Sequence, residues 1–166
     1  MRHIIGILLQ NEAGALNRVA GLFSNRGYNI ESLSVAPTKD PTVSRITLVT
    51  AGSDAVVQQI VSQLNKLIDV VNVDNMTRGE HLERELALLK LQVKASQVEA
   101  LQAAVSQAGG RVLDATPETF IVEITGNEGE INAFIVEIAK QGELTEVVRS
   151  GALGLTRDAR TLRVRQ

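Results

Sequence analysis

The chain has no cysteine and no tryptophan, and only three phenylalanines and one tyrosine among its 166 residues. Without cysteine it can form no disulfide, no thiolate nucleophile and no sulfur-ligated metal site. With so few aromatics the core must be aliphatic, and an apolar content of 44% supplies enough Val, Ile, Leu and Ala to build one. The same scarcity argues against RNA binding by base stacking on a sheet. A net charge of −2 creates no field that would gather nucleic acid or an anionic membrane. No apolar run approaches the roughly 20 residues of a membrane span, and no signal-peptide pattern opens the chain. A cytoplasmic protein with no nucleic-acid or membrane partner is expected. The two histidines, His3 and His81, stand apart, with no serine or paired carboxylate at a useful spacing. Both read as strand-end or solvent-facing residues. Phosphate loops, dinucleotide fingerprints and metal-ligand spacings are also missing, so no catalytic residue, metal or cofactor is assigned to this chain.

What is present is an ordered alternation of patterns. Ile4 to Leu9 is a continuous apolar run, as in a central strand. A polar turn follows, then apolar residues at Leu16, Val19, Ala20 and Phe23, the one-face spacing of a helix. Gly27 closes that helix as a left-handed cap. Asn29 to Ala36 reads as a strand, Pro37 to Pro41 as a turn, and Thr42 to Thr50 as another strand. Ser53 or Asp54 caps a helix with Val56, Val57, Ile60, Val61 and Leu64 on its apolar face. Leu67 to Val73 is a fourth strand. The order β-α-β-β-α-β is the ferredoxin-like arrangement, with both helices on one face of an antiparallel sheet and the other face left to a partner.

Asn75 to Arg84 is polar and contains glycine, which marks a boundary. The pattern then repeats: a strand from Glu85 to Val93, a helix opened by a Ser96–Glu99 capping box, strands over 111–115 and 119–125, a helix capped at Asn127, and a strand from Leu144 to Arg149. Glu83, Arg84 and Glu85 alternate in charge as on a solvated face. The expected fold class is α+β, two tandem ferredoxin-like domains. Residues 1–76 form the first, 77–84 the linker, 85–156 the second and 157–166 a basic tail bearing Arg157, Arg160, Arg163 and Arg165. That tail reads either as a basic patch or as a solvated terminus.

The turn between the first strand and helix is the candidate ligand site. A strand turning sharply into a helix presents free N–H groups that attract a carboxylate. Gly14 allows close approach of a ligand, and Asn11 can either cap the helix or bond a ligand through its amide. A plain helix start explains the same residues. The second half has Lys94-Ala95-Ser96 at this place and offers neither the glycine nor the asparagine.

Leu8 to Leu16, Gly21 to Ser24, Arg26 to Leu33 and Ala36 to Thr38 resemble the small, regulatory subunit of acetolactate synthase (acetohydroxyacid synthase). The likeness continues through Ser44-Arg45, Gln63 to Val70, Glu83 to Leu86 and Val148 to Gly151. It implies that the first half is an ACT domain binding valine in feedback control of branched-chain amino acid biosynthesis. It also implies a homodimer through that domain and a catalytic large subunit as partner, which holds thiamine diphosphate, FAD and magnesium. Asn11, Gly14, Ala15 and Leu16 match the family's effector loop, and Asn29 and Ile30 match positions supplied by the paired subunit.

Overall fold

In a computed structural model, which describes residues 1–157 and 159–164, the chain divides into two compact units. One is Met1–Leu82 together with the described residues from Ala152 onward; the other is Glu83–Gly151. The first is built on a four-stranded antiparallel sheet with two helices and the second on four antiparallel strands, within a sheet that counts five, with two helices, the tandem ferredoxin-like α+β architecture.

The first unit contains β1 (Arg2–Gln10), α1 (Ala15–Asn25), β2 (Ser32–Pro37), β3 (Val43–Ala51), α2 (Asp54–Leu64) and β4 (Val70–Asn75). Its strand order is β2-β3-β1-β4, so β1 is interior and buried from His3 to Leu9. The helix-side core joins Ile5, Ile7 and Leu9 of β1 to Val19 and Phe23 of α1 and Val57, Ile60 and Leu64 of α2. These helical residues recur at three- and four-residue intervals, which places them on one stripe against the sheet. Ser53 caps α2 by accepting the Val56 N–H. α1 closes on a Schellman motif: Gly27, at φ 69°, donates to Ser24 O and Tyr28 donates to Phe23 O.

The opposite sheet face differs from expectation, because the chain's own C-terminal segment covers part of it. Ile4, Val49 and Met76 pack with Ala152. A Cβ placed on Gly154 would stand 2.8 Å from Ile4 and Met76, and one placed on Gly6 would stand 3.2 Å from Leu162. The segment contains a strand, β9 (Leu153–Thr156), within the range 85–156 expected to belong to the second domain. Arg45 donates to Gly154 O, Arg157 N–H to Glu80 O, and the Asn72 amide to Arg163 O. Residues 152–156 thus lie with the first unit, not the second, and Arg157 and Arg163 are bonded to it. Arg165 lies outside the described residues. The stretch read as a linker also holds structure. Met76–Arg78 is one 3-10 turn in which Met76 is buried, and β5 (His81–Gln92) begins before residue 85. His3 is a strand-end residue as expected but buried, with Nε2 3.2 Å from Gly52 O.

The second unit contains the rest of β5, α3 (Val98–Gln107), β6 (Arg111–Ala115), β7 (Thr119–Gly126), α4 (Glu128–Ile138) and β8 (Glu143–Arg149), in strand order β6-β7-β5-β8. Its core sets Ala87, Leu89 and Leu91 against Leu101, Val105, Ile131, Phe134 and Ile138. Asn127 and Glu130 form the capping box of α4, each side chain accepting from the other's N–H. At α3 the expected Ser96–Glu99 box is replaced. Gln97 Oε1 accepts the Lys94 N–H, and a 3-10 turn, Ala95–Gln97, precedes the helix. Glu85 is not on a solvated face: it is buried and paired in two hydrogen bonds with Arg149, at 2.9 and 2.7 Å. The pair holds the Arg149 guanidinium above its ordinary pKa. Among the described residues no helix is long and apolar enough to cross a membrane.

Candidate functional site

The turn from β1 to α1 stands at one end of the first sheet. Gly14 is the N-cap residue at φ 85° and ψ −12°, a left-handed conformation that an L side chain rarely adopts. No side chain caps the helix there, and no atom lies within 4 Å of where a Gly14 Cβ would be. The start of the helix is therefore open on its glycine side; Ala15 N–H donates to Glu12 O at 3.2 Å, and no side chain caps the first N–H groups. Ala15 is buried and begins the packed stripe of α1, whereas Leu16 is 39% exposed although it lies in the apolar helical pattern.

Asn11 does not cap the helix. Its N–H donates to Thr42 O at 2.8 Å and its side-chain amide donates to Pro41 O at 2.9 Å. These bonds tie the β1–α1 turn to the β2–β3 turn and leave the Asn11 amide oxygen free of that contact. The β2–β3 turn is itself braced. Asp40 accepts both the Thr42 hydroxyl, at 2.7 Å, and the Thr42 N–H, at 3.0 Å. Those bonds hold the Asp40 carboxyl below its ordinary pKa.

Sequence reading missed two further anchors at this corner. Asp69 accepts the Gln10 N–H on its carbonyl at 2.8 Å. Its carboxylate, only 4% exposed as a residue, takes Arg18 Nη1 at 2.6 Å. Arg18 lies four residues after Gly14 and donates its N–H to Gly14 O. That helical spacing was a signal for Arg18; nothing local pointed to Asp69.

Asn29 and Ile30 stand elsewhere. β2 begins only at Ser32, so both lie in the connection from α1. Asn29 is exposed and Ile30 half-buried, and the Asn29 carbonyl accepts the hydroxyl of the fully buried Thr50 at 2.6 Å. Thr50 pairs with His3 at the start of β1, while Val43 pairs with Gln10 at its end. Thr42 and Thr50, the residues that hold Asn11 and Asn29, are thus separated by nearly the whole of β3, roughly 26 Å for eight extended residues. Asn11, Gly14, Ala15 and Leu16 are brought together in one chain. Asn29 and Ile30 lie at the opposite end of the same sheet.

Electrostatically the corner is mixed, with Arg18 and Asp69 neutralising each other. Among the described residues no group of three or more His, Asp or Glu is placed to hold a metal ion. The arrangement offers backbone donors, amides and apolar neighbours, which suits binding rather than bond-breaking.

Comparison with known proteins adds the family. Residues 5–72 match the model described as "AHAS small subunit-like ACT domain", and residues 84–158 the one described as "Small subunit of acetolactate synthase". The chain is 45% identical over 163 residues to the acetolactate synthase isozyme 3 small subunit of Escherichia coli, covering 98% of this chain and 100% of that one. It is 41% identical to the acetolactate synthase small subunit of Haemophilus influenzae, over 98% of this chain and 99% of the relative. Among solved structures, it is similar to the acetolactate synthase small subunit from Thermotoga maritima, with a TM-score of 0.85 and 32% identity over 95% of this chain and 98% of that one.

Proposed function

Because the chain belongs to the family of acetolactate synthase small subunits, regulatory ACT-domain proteins whose catalytic activity resides in a large subunit, we propose that it binds valine at a site shared by two copies. In doing so it activates the large subunit and makes it sensitive to feedback in branched-chain amino acid biosynthesis. The protein acts in the cytoplasm. Thiamine diphosphate, FAD and magnesium belong to the large subunit, and no residue set of this chain is assigned to them.

One observation carries the shared-site reading. The two groups of candidate contacts lie at opposite ends of one sheet, anchored on Thr42 and Thr50, and valine is only roughly 6 Å long by its bond lengths. A second copy brings the groups together if the exposed edge strand β2 pairs antiparallel with its counterpart. The Asn29 end of one copy then lies beside the Pro37 end of the other, the end at which Asn11 and Gly14 stand. The other edge, β4, is partly occupied by the C-terminal segment through Asn72 and Arg163.

The chemistry is simple. The valine carboxylate sits on N–H groups from Gly14 to Leu16, where the helix dipole also favours an anion. Its ammonium donates to the Asn11 or Asn29 side-chain oxygen, and its isopropyl group packs on aliphatic neighbours such as Ile30. Valine has eight non-hydrogen atoms, so about −12 kcal/mol is available at best and micromolar binding requires about −8. Feedback requires a differential affinity between two states of the complex, because equally tight binding to both shifts nothing. Sedimentation with and without valine, alongside calorimetric titration with valine, leucine and isoleucine, tests the reading. A valine-binding dimer is expected; a monomer under both conditions at micromolar concentration would end the shared-site account.

A further inference from the structure

The effector turn is held from both sides by one residue that lies more than fifty positions away in the chain. The Asp69 carbonyl accepts the N–H of Gln10, the last residue of β1, at 2.8 Å. Its carboxylate accepts Nη1 of Arg18, in the second turn of α1, at 2.6 Å. Residues 11–14 thus run between two groups fastened to the same backbone unit. Arg18 in turn reaches the turn directly, through its N–H to Gly14 O at 3.1 Å. The pairing of β1 with β4 changes register between Leu8 and Leu9, where Leu8 faces Asn72 and Leu9 faces Val70. A bulge of this kind bends the strand and re-aims the residues beside it, and Asp69 is the residue it delivers beneath the turn.

We propose that Asp69 and Arg18 are positioning residues for the effector turn, setting the orientation of the Gly14-to-Leu16 N–H groups toward a ligand carboxylate without touching that ligand. The inference rests on the reading of this corner as the valine site. The ion pair does not serve stability alone. The half-exposed Arg18 guanidinium is screened by solvent, which limits what the pair adds to stability, whereas a nearly buried carboxylate that loses its partner must move toward water. The available movement is rotation of the Asp69 loop, which carries the Gln10 N–H bond and the end of β1 with it. Ligand affinity at open backbone donors depends on their being held in place before binding. Loosening the clamp therefore weakens binding while leaving the sheet and the helix stripe intact.

The test uses the full-length protein and three variants, Asp69→Asn, Arg18→Gln and Arg18→Lys, with Gly14→Asp as the control for the site itself. Valine affinity by calorimetry, the thermal midpoint without valine, and activation of the large subunit without valine are read for each. Asp69→Asn and Arg18→Gln are expected to weaken valine binding tenfold or more, and Arg18→Lys, which keeps the charge, less than threefold. Activation without valine should stay within twofold of wild type. Arg18→Gln changes a half-exposed side chain, so it reports even if Asp69→Asn folds poorly. If Gly14→Asp abolishes binding while Arg18→Gln stays within twofold of wild type, the clamp is only structural and this inference is overturned. Should Gly14→Asp itself bind valine normally, the site reading fails first and the inference with it.

Discussion

The two units carry the same opening strand and helix, yet their corresponding corners differ. Gln92 ends the apolar run of β5 as Gln10 ends β1, and Gly109 closes α3 in the left-handed conformation as Gly27 closes α1, in both cases 82 residues later. At that offset Gly14 corresponds to Ser96, Arg18 to Ala100 and Asn11 to Val93. Glu143 faces Gln92 as Asp69 meets Gln10, but it is exposed and has no arginine at the matching helix position. The second corner is an open cavity of about 560 Å³ lined by Lys94, Glu118 and Glu143 among others, and its helix is entered through a 3-10 turn in which Gln97 Oε1 accepts the Lys94 N–H. The same fold thus yields, in one unit, a corner braced by an ion pair with a left-handed glycine at the helix start and, in the other, an unbraced corner entered through a 3-10 turn. Four or five side chains make that difference, not the architecture.

The largest expected effect separates stability from sensing. Glu85→Ala leaves Arg149 without its carboxylate in the second unit and should cost about 2–4 kcal/mol of that unit's stability. Denaturant unfolding should register the loss while valine affinity below the transition stays unchanged. A matching loss of affinity would mean that the second unit shapes the site.

Gly14→Asp acts on the other side of the comparison. It adds a side chain at positive φ and a negative charge where the proposed valine carboxylate would sit. Valine binding should weaken by more than about 1.4 kcal/mol, a factor of ten. The fold should survive, since nothing stands within 4 Å of the new Cβ. Wild-type affinity in calorimetry would place the site elsewhere.

Thr50→Val should have an intermediate effect. It removes the hydroxyl that fixes the Asn29 carbonyl and leaves a similar volume in the core, so about 1 kcal/mol is lost from valine binding with dimerisation retained. Thr50→Ser should recover most of it. Equal affinities for all three proteins would show that the Asn29 segment needs no anchor.

How much of this could be read from sequence depends on distance along the chain. The βαββαβ order, the Gly27 and Asn127 caps and the Gly14 turn are set by residues within a few positions of one another, and they stand where the patterns put them. The cover on the first sheet was missed because Ala152 donates to Ser32 from 120 positions away, and four apolar residues near a terminus carry no mark of where they pack. Asp69 under the β1–α1 turn, Thr50 behind Asn29 and Arg149 on Glu85 were invisible for the same reason. Leu16 was misjudged differently. It fits the apolar spacing, but the buried stripe of α1 runs through Ala15, Val19 and Phe23, which leaves Leu16 outward beside Gly14. The ladders pair Ile46 with Ile7 and Val122 with Leu89, and Ile7 and Leu89 stand at the same 82-residue offset. Ile46 therefore corresponds to Val122 in the second unit.

The smallest effect expected is one of pH. Thr42 holds the Asp40 carboxyl below its ordinary pKa. A depressed folded-state value means that the brace is fully present above the unfolded carboxylate's pKa of about 3.9 and is lost only as pH falls through the folded value. Asp40 should therefore titrate low by NMR, and valine affinity should be flat from about pH 8 to pH 5. A loss of binding centred near pH 5 that Asp40→Asn abolished would contradict this.

The claim that one valine site is assembled from two copies has a direct measurement. Gly14→Asp damages the turn half of each site and Asn29→Ala the opposite half, so each variant homodimer should bind valine weakly. Unfolded, mixed and refolded together, they form a heterodimer in which one site carries both lesions and the other carries none. Calorimetry on the purified heterodimer should then recover one valine per dimer at wild-type affinity. A heterodimer that binds no better than either parent would contradict the shared site.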